Sequence, residues 1–160
     1  MNKYRTHNCS ELSEKEIDKI VYLSGWLHRK RDHGNLLFVD LRDHYGITQC
    51  VIENNNKSFP ILEKSKPESV LKISGKVVKR TDGTENLDLK TGKIEIAIES
   101  IEVLSNAKEL PIPVFGEQDY PEDIRLKYRF LDLRSCPLYT SDAADDSLRV
   151  DLGGRRITKK

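Results

Sequence analysis

NLLFVDLRDHYGITQCVIE, residues 35–53, decides how this chain folds. Its first half alternates: Leu37, Val39 and Leu41 fall on one side, and Leu36, Phe38 and Asp40 on the other. That is the period of a strand with one buried face. Asp43-His44-Tyr45-Gly46 supplies the chemistry of a tight hairpin turn, and Ile47 to Glu53 reads as the returning strand.

Working outward, the same period recurs on both sides. Upstream, Val21, Leu23, Gly25 and Leu27 share one face of a preceding strand. Downstream, Asn54-Asn55-Asn56 breaks the pattern, and Phe59 to Lys66 has the mixed polarity of a short helix closed by Pro67. Val70 to Arg80 is a fourth strand, with Leu71, Ile73, Gly75 and Val77 alternating against Lys72, Ser74 and Lys76. A polar loop from Thr81 to Lys93 carries two turn signals, Asp82-Gly83 and Thr91-Gly92. Ile94, Ile96 and Ile98 open a fifth strand. Its apolar phase then moves to Ile101 and Val103, which places a bulge near Ser100. Five strands with a short helix between the third and fourth follow the order of an OB-fold, a small Greek-key barrel whose faces and loops bind oligonucleotides. Ala107 to Tyr120, rich in proline, reads as an extended linker, and Pro121 to Arg134 as a short helix with acidic Glu122 and Asp123 at its start. The division is therefore 1–106 for the barrel, 107–134 for linker and helix, and 135–160 for a tail.

Bulk properties narrow the function classes. With a third of its 160 residues charged and 37% hydrophobic, the chain has a globular composition. Lys and Arg number 27 against 26 Asp and Glu, so any affinity for a polyanion must come from local clustering. Cys9, Cys50 and Cys136 form no C-x-x-C pair, which offers no zinc knuckle and fits a reducing cytosol. The N-terminal stretch has no apolar signal core, and no apolar run approaches the ~20 residues of a membrane helix, so a cytoplasmic location is expected. His7, His28, His33 and His44 show no metal spacing; P-loop, G-x-S-x-G and H-E-x-x-H patterns are absent. Asp40 and Asp43 flank Arg42, which suggests a surface ion pair before paired catalytic carboxylates.

Several residues have the chemistry of a single-stranded nucleic-acid site. His28-Arg29-Lys30-Arg31-Asp32-His33-Gly34 is a cationic run placed where the first strand gives way to a loop, suited to a phosphate backbone. A solvated charged turn is the plainer reading of the run alone. Phe38 lies opposite the core phase, and an outward ring beside cations is how bases are stacked, at ~1–3 kcal/mol per base; a ring covered by a loop is the alternative. Gln49 can donate to and accept from a base edge, or be an ordinary strand residue. Arg80 can meet phosphate or base, or merely cap its strand. Glu95 opposes the Ile94–Ile96–Ile98 face. A carboxylate repels phosphate, so beside RNA it belongs only where it meets donors such as the Watson–Crick N–H groups of guanine. By itself an exposed strand Glu is usually only solvated.

RTHNCSEL, LSGWLHRKRDHGNLLFVDLRDHYGITQCVIE, ISGKVVKR, GTENLDLKTGKIEI and PEDIRLKYRFLDLR together resemble the start of bacterial-type aspartyl-tRNA synthetases, over Tyr4 to Arg134. The resemblance implies an OB-fold that grips the anticodon loop of aspartate tRNA. Phe38 matches the ring that stacks on the central anticodon base, Arg31 and Gln49 match base contacts, and Glu95 matches the reader of the first, guanine-derived base. Arg29, Arg80 and Asn86 fall at positions near the anticodon stem-loop. His33 and Gly83 resemble the residues of family members that charge both aspartate and asparagine tRNAs. The family's ATP- and Mg²⁺-dependent chemistry, and most of its homodimer contact, reside in a class II catalytic domain beyond Arg134. The 160 residues alone are therefore expected to be a non-catalytic, cofactor-free monomer. A free-standing single-stranded nucleic-acid-binding OB protein is the competing reading, and a protein-interaction domain using a sheet edge is a third. Residues 136–160, CPLYTSDAADDSLRVDLGGRRITKK, resemble translated sequencing adapter and are read as non-native and disordered.

Overall fold

The structure, a computed structural model, describes residues 3–81, 83–115 and 120–135. The expectation for the tail at 136–160 lies outside them. Contacts divide the chain into two compact units, one ending at Glu109 and the other beginning at Leu110.

The first unit is a closed five-stranded barrel in the order β1-β2-β3-β5-β4, with β1 Ile20–Asp32, β2 Leu36–Arg42, β3 Ile47–Glu53, β4 Val70–Lys79 and β5 Ile94–Ser105. Helix α1, Phe59–Lys64, lies between β3 and β4 as the order of apolar segments predicts. Neighbouring strands are antiparallel except β3 and β5, whose parallel pairing through Cys50↔Ile96 and Val51↔Ala97 seals the barrel. This is an OB-fold. The inward phase of every strand builds one core, from Val21, Leu23 and Leu27 through Val39, Leu41, Cys50 and Ile52 to Leu71, Ile73, Val77, Ile94 and Ile96. Removing this apolar surface from water is the main stabilising term, at roughly 25 cal/mol per Å².

Sequence reading missed how that core is closed by the N-terminal segment. Cys9 and Leu12 are buried in it. Asp43 anchors the segment: its Oδ2 accepts the Cys9 N–H at 2.9 Å while Oδ1 accepts the Tyr45 and Gly46 N–H groups of the hairpin turn. Thr48 Oγ1 donates to the Cys9 carbonyl.

Three bulges shape the barrel. The expected one in β5 is present: Ser74 pairs with Ser100 but Gly75 with Ile98, leaving Glu99 as the extra residue. Gly75 stands there because a Cβ would lie 2.4 Å from the Ala97 carbonyl oxygen. A second shift in the β4–β5 ladder falls between Val70 and Leu71. The third bulge corrects the sequence reading. Leu27 pairs with Leu41 and Arg29 with Asp40, so His28 is extra, and β1 runs on to Asp32. The run from His28 to Asp32 is thus paired strand, not the edge of a loop, because the bulge lets β1 follow β2 as far as Asp32↔Leu37. It also inverts the phase of β1. Before the bulge, odd-numbered residues face the core; after it, Arg29 and Arg31 face outward while Lys30 turns the other way. Lys30 Nζ donates to the carbonyls of Leu62, Glu63 and Ser65 at the end of α1.

The ion pair expected for Arg42 with Asp40 or Asp43 is also corrected. Arg42 makes a two-pronged pair with Glu68, at 2.9 and 3.2 Å, with His28 Nδ1 at 3.4 Å. Asp40 is engaged by Arg31 and Asp43 by backbone N–H groups, so neither carboxylate is left to Arg42.

In the second unit, Ile112, Val114 and Leu131 form a small core with Leu110, Tyr120, Ile124 and Tyr128 packed on it. The single helix expected from Pro121 to Arg134 is two, α2 Glu122–Lys127 and α3 Arg129–Ser135, because Tyr128 leaves helical geometry at φ −110°, ψ 39°. Arg125 and Arg129 both pair with the buried Asp132 at 2.9 Å.

Candidate nucleic-acid interface

Register places the site. On the outer surface, Arg31 pairs with Phe38, Phe38 with Val51, and Val51 with Ala97, one row across β1, β2, β3 and β5. The adjacent row runs Arg29, Asp40, Gln49. Glu95 meets that row through a hydrogen bond from Gln49 Nε2 to its Oε2 at 2.9 Å. Phe38 is half-buried and outward, between the core residues Leu37 and Val39. Its edge-to-face contact with His33, centroids 5.3 Å apart at 88°, holds one side of the ring and leaves it on the rim of a groove.

The groove has a volume of about 450 Å³, within the ~300–1,000 Å³ of ordinary ligand clefts. Phe38, Val51 and Ala97 supply its apolar surface, Gln49 and Glu95 a polar wall, and Thr81, Thr84, Asn55 and Asn56 its margins. An apolar strip flanked by donors and acceptors suits the flat face and polar edge of a base.

The polar wall is already ordered. Arg31 Nη2 donates to Asp40 Oδ1 at 2.9 Å and to Gln49 Oε1 at 3.1 Å. Gln49 is only 9% exposed, buried by the partners on either side of it. Arg31, Phe38, Gln49 and Glu95, four of the residues singled out from sequence, are thereby brought together, with Arg29 exposed on the same face.

The other candidates are placed differently. Arg80 is 4% exposed, not a surface cation. Its Nε donates to the Ile94 carbonyl at 3.1 Å and its Nη1 to that of Thr84 at 3.4 Å, while Nη2 is buried without a hydrogen-bond partner. Burial disfavours its charge; Glu95 and Asp40 oppose that effect. Arg80 therefore ties the 81–93 loop to the start of β5, beneath the groove. Asn86 is exposed in that loop and spends its side chain on an Asx turn, Oδ1 accepting the Asp88 N–H at 3.0 Å. Gly83 is exposed at φ +87° with open space around it, so any side chain there meets backbone strain before it meets a neighbour. His33 lies in the β1–β2 turn and touches Phe38, a contact the sequence did not show. Asp40, absent from the sequence candidates, is central to the wall; its place in the outward phase of β2 beside Phe38 was the available signal.

Comparison with known proteins agrees with the fold. The tRNA anticodon family, an OB-fold nucleic acid binding domain, matches residues 21–104. The aspartate–tRNA(Asp/Asn) ligase of Pelagibacter ubique is 64% identical over 134 residues, covering 84% of this chain and 23% of that protein. That of a Bradyrhizobium species is 58% identical over 153 residues, covering 93% and 26%. The chain spans about a quarter of the length of the curated relatives it matches. Among solved structures, asparaginyl-tRNA synthetase from Pyrococcus horikoshii in complex with asparaginyl-adenylate superposes with a TM-score of 0.66 at 27% identity, over 81% of this chain and 29% of that one. An aspartyl-tRNA synthetase structure from Leishmania major, at 22% identity and TM-score 0.67, shares the fold over 84% of this chain and 29% of that one. With the match running through all five strands, the chain belongs to the tRNA anticodon family of OB-fold nucleic-acid-binding domains.

Proposed function

We propose that the barrel reads the anticodon loop of a tRNA, as the N-terminal part of an aspartate–tRNA ligase that uses ATP to charge tRNA-Asp and also tRNA-Asn. The observation that carries this reading is the outward Phe38 ring on one surface with Arg31, Gln49 and Glu95. Phe38 stacks a base. Arg31, Gln49 and Glu95 discriminate base edges, and Arg29 supplies charge to the backbone. The relatives' names, which carry both Asp and Asn tRNAs, support the dual specificity, and His33 packed on Phe38 is positioned to influence the base beside that ring.

Activation of aspartate and dimerisation belong, in this proposal, to the remainder of a cytoplasmic enzyme. No helix among the described residues is long and apolar enough to cross a membrane. Binding of ATP and Mg²⁺ is assigned, in the same proposal, to that remainder.

The test is equilibrium binding of short RNA hairpins carrying the aspartate anticodon, the asparagine anticodon, or a scrambled loop. The proposal expects both cognate loops to bind more tightly than the scrambled one, with affinity falling as salt rises. Equal affinity for all three would replace it with a sequence-indifferent single-strand binder, and no affinity with a protein-interaction domain.

A further inference from the structure

We infer that Asp40 sets base selectivity in the groove by fixing the hydrogen-bond polarity of Gln49; the inference builds on the anticodon-loop reading. Asp40 faces outward on β2, in register with Arg29 on one side and Gln49 on the other. Its side chain is 14% exposed. A carboxylate on a surface meant for phosphates lowers affinity for any nucleic acid, so affinity does not explain its presence.

The hydrogen bonds do. Asp40 Oδ1 accepts from Arg31 Nη2 at 2.9 Å, and the same nitrogen donates to Gln49 at 3.1 Å. A guanidinium has donors only, so it turns the oxygen of the Gln49 amide toward itself. The amide nitrogen then faces Glu95, which as a carboxylate only accepts, and donates to its Oε2 at 2.9 Å. The relay Asp40–Arg31–Gln49–Glu95 has a single consistent assignment of donors and acceptors: Arg31 donates to both neighbours and Gln49 donates to Glu95. An amide free to turn over offers a base either of two patterns; one held at both ends offers one. Arg31 has a side chain 44% exposed, and its charge-assisted bond to Asp40 keeps the guanidinium from swinging into solvent. Asp40 is thus a positioning residue acting through Arg31 on Gln49.

The experiment uses the 160-residue chain with Asp40→Asn and hairpins in which each anticodon base is replaced singly. The aspartate-anticodon hairpin is expected to bind more weakly. The replaced hairpins bind as well as before or better, because a negative charge is gone. The cognate-to-replaced ratio should shrink about fivefold or more at one loop position. In an Arg31→Met background the same substitution should leave the ratio unchanged, since the relay is already cut. Arg31→Gln, which loses the obligate donor, must shrink the ratio at the same loop position and supplies the test if D40N does not fold. An unchanged ratio in D40N, with the wild type discriminating, overturns the inference and leaves the anticodon reading standing. So does an equal loss of affinity for every hairpin with a lowered melting temperature, which marks a merely structural role. A wild type that does not discriminate sinks the anticodon reading itself.

Discussion

Replacing Phe38 with Ala separates binding from folding more cleanly than any other change in this chain. The ring lies in the outward phase of β2, between Leu37 and Val39, which point into the core. Its truncation removes the His33 edge contact, worth ~0.5–1.5 kcal/mol, and opens no core cavity. A loss of about 1 kcal/mol corresponds to a melting temperature lowered by roughly 4–8 °C in a unit of this size. Stacking of one base is worth ~1–3 kcal/mol, so RNA affinity should fall about 5- to 150-fold. The assay is fluorescence anisotropy of a labelled anticodon hairpin, with a thermal melt of each variant. Leu41→Ala, three residues along the same strand but fully buried, is the control: it should cost about 2–5 kcal/mol of stability. Phe38→Ala with a normal melt and affinity within twofold of wild type would refute the stacking argument.

The cationic run should divide by phase. Arg29→Met is expected to flatten the salt dependence of hairpin binding by about 0.7 in log–log slope, and Lys30→Met to leave binding alone while lowering the melting temperature, since Lys30 caps α1; titrations at several salt concentrations decide. Cys9 and Cys50 should resist alkylation in the folded protein and react on unfolding, as peptide mapping would show. Burial first, and then the Asp43 carboxylate, pushes the Cys9 thiol up to about 12, and burial raises Cys50 well above its ordinary value. His28 is held below 6.5, chiefly by burial and then by Arg42, with Asp40 and Glu68 opposing and Arg29 reinforcing. The unfolded chain therefore binds the extra proton more readily, and stability falls as pH drops through and below 6.5. His28→Asn should reduce the loss of melting temperature between neutral and mildly acidic pH.

The barrel was legible because nearly every strand carries an unambiguous apolar alternation. The β5 bulge was legible for the same reason: isoleucines on both sides of Ser100 record the change of phase. The β1 bulge was not, because His28, Arg29, Lys30 and Arg31 are all polar and a polar run has no phase to shift. That single residue decides which cations share the outer face with Phe38. Arg80 misled for a related reason. Its burial depends on the conformation of the 81–93 loop over it, where Asn86 N–H bonds the Gly92 carbonyl and Thr91 Oγ1 the Ile47 carbonyl, contacts with no local sequence pattern. Phe38, Gln49 and Glu95 were readable individually from strand phase, whereas their meeting required the parallel β3–β5 pairing that no alternation reveals.

The bulge at His28 makes one strand serve two masters. Up to Leu27 its odd-numbered side chains answer to the interior, where a change of volume disturbs the whole barrel; past His28, Arg29 and Arg31 answer to the outer face beside Phe38. A mutation on the far side can retune recognition without loosening the seal, and the recognition half is free to drift while the sealing half stays fixed. A straight ladder, with His28 itself opposite Asp40, would erase that separation. Every side chain beyond His28 would trade faces, turning Arg29 and Arg31 toward the barrel and sending the lysine that caps α1 onto the outer face in their place.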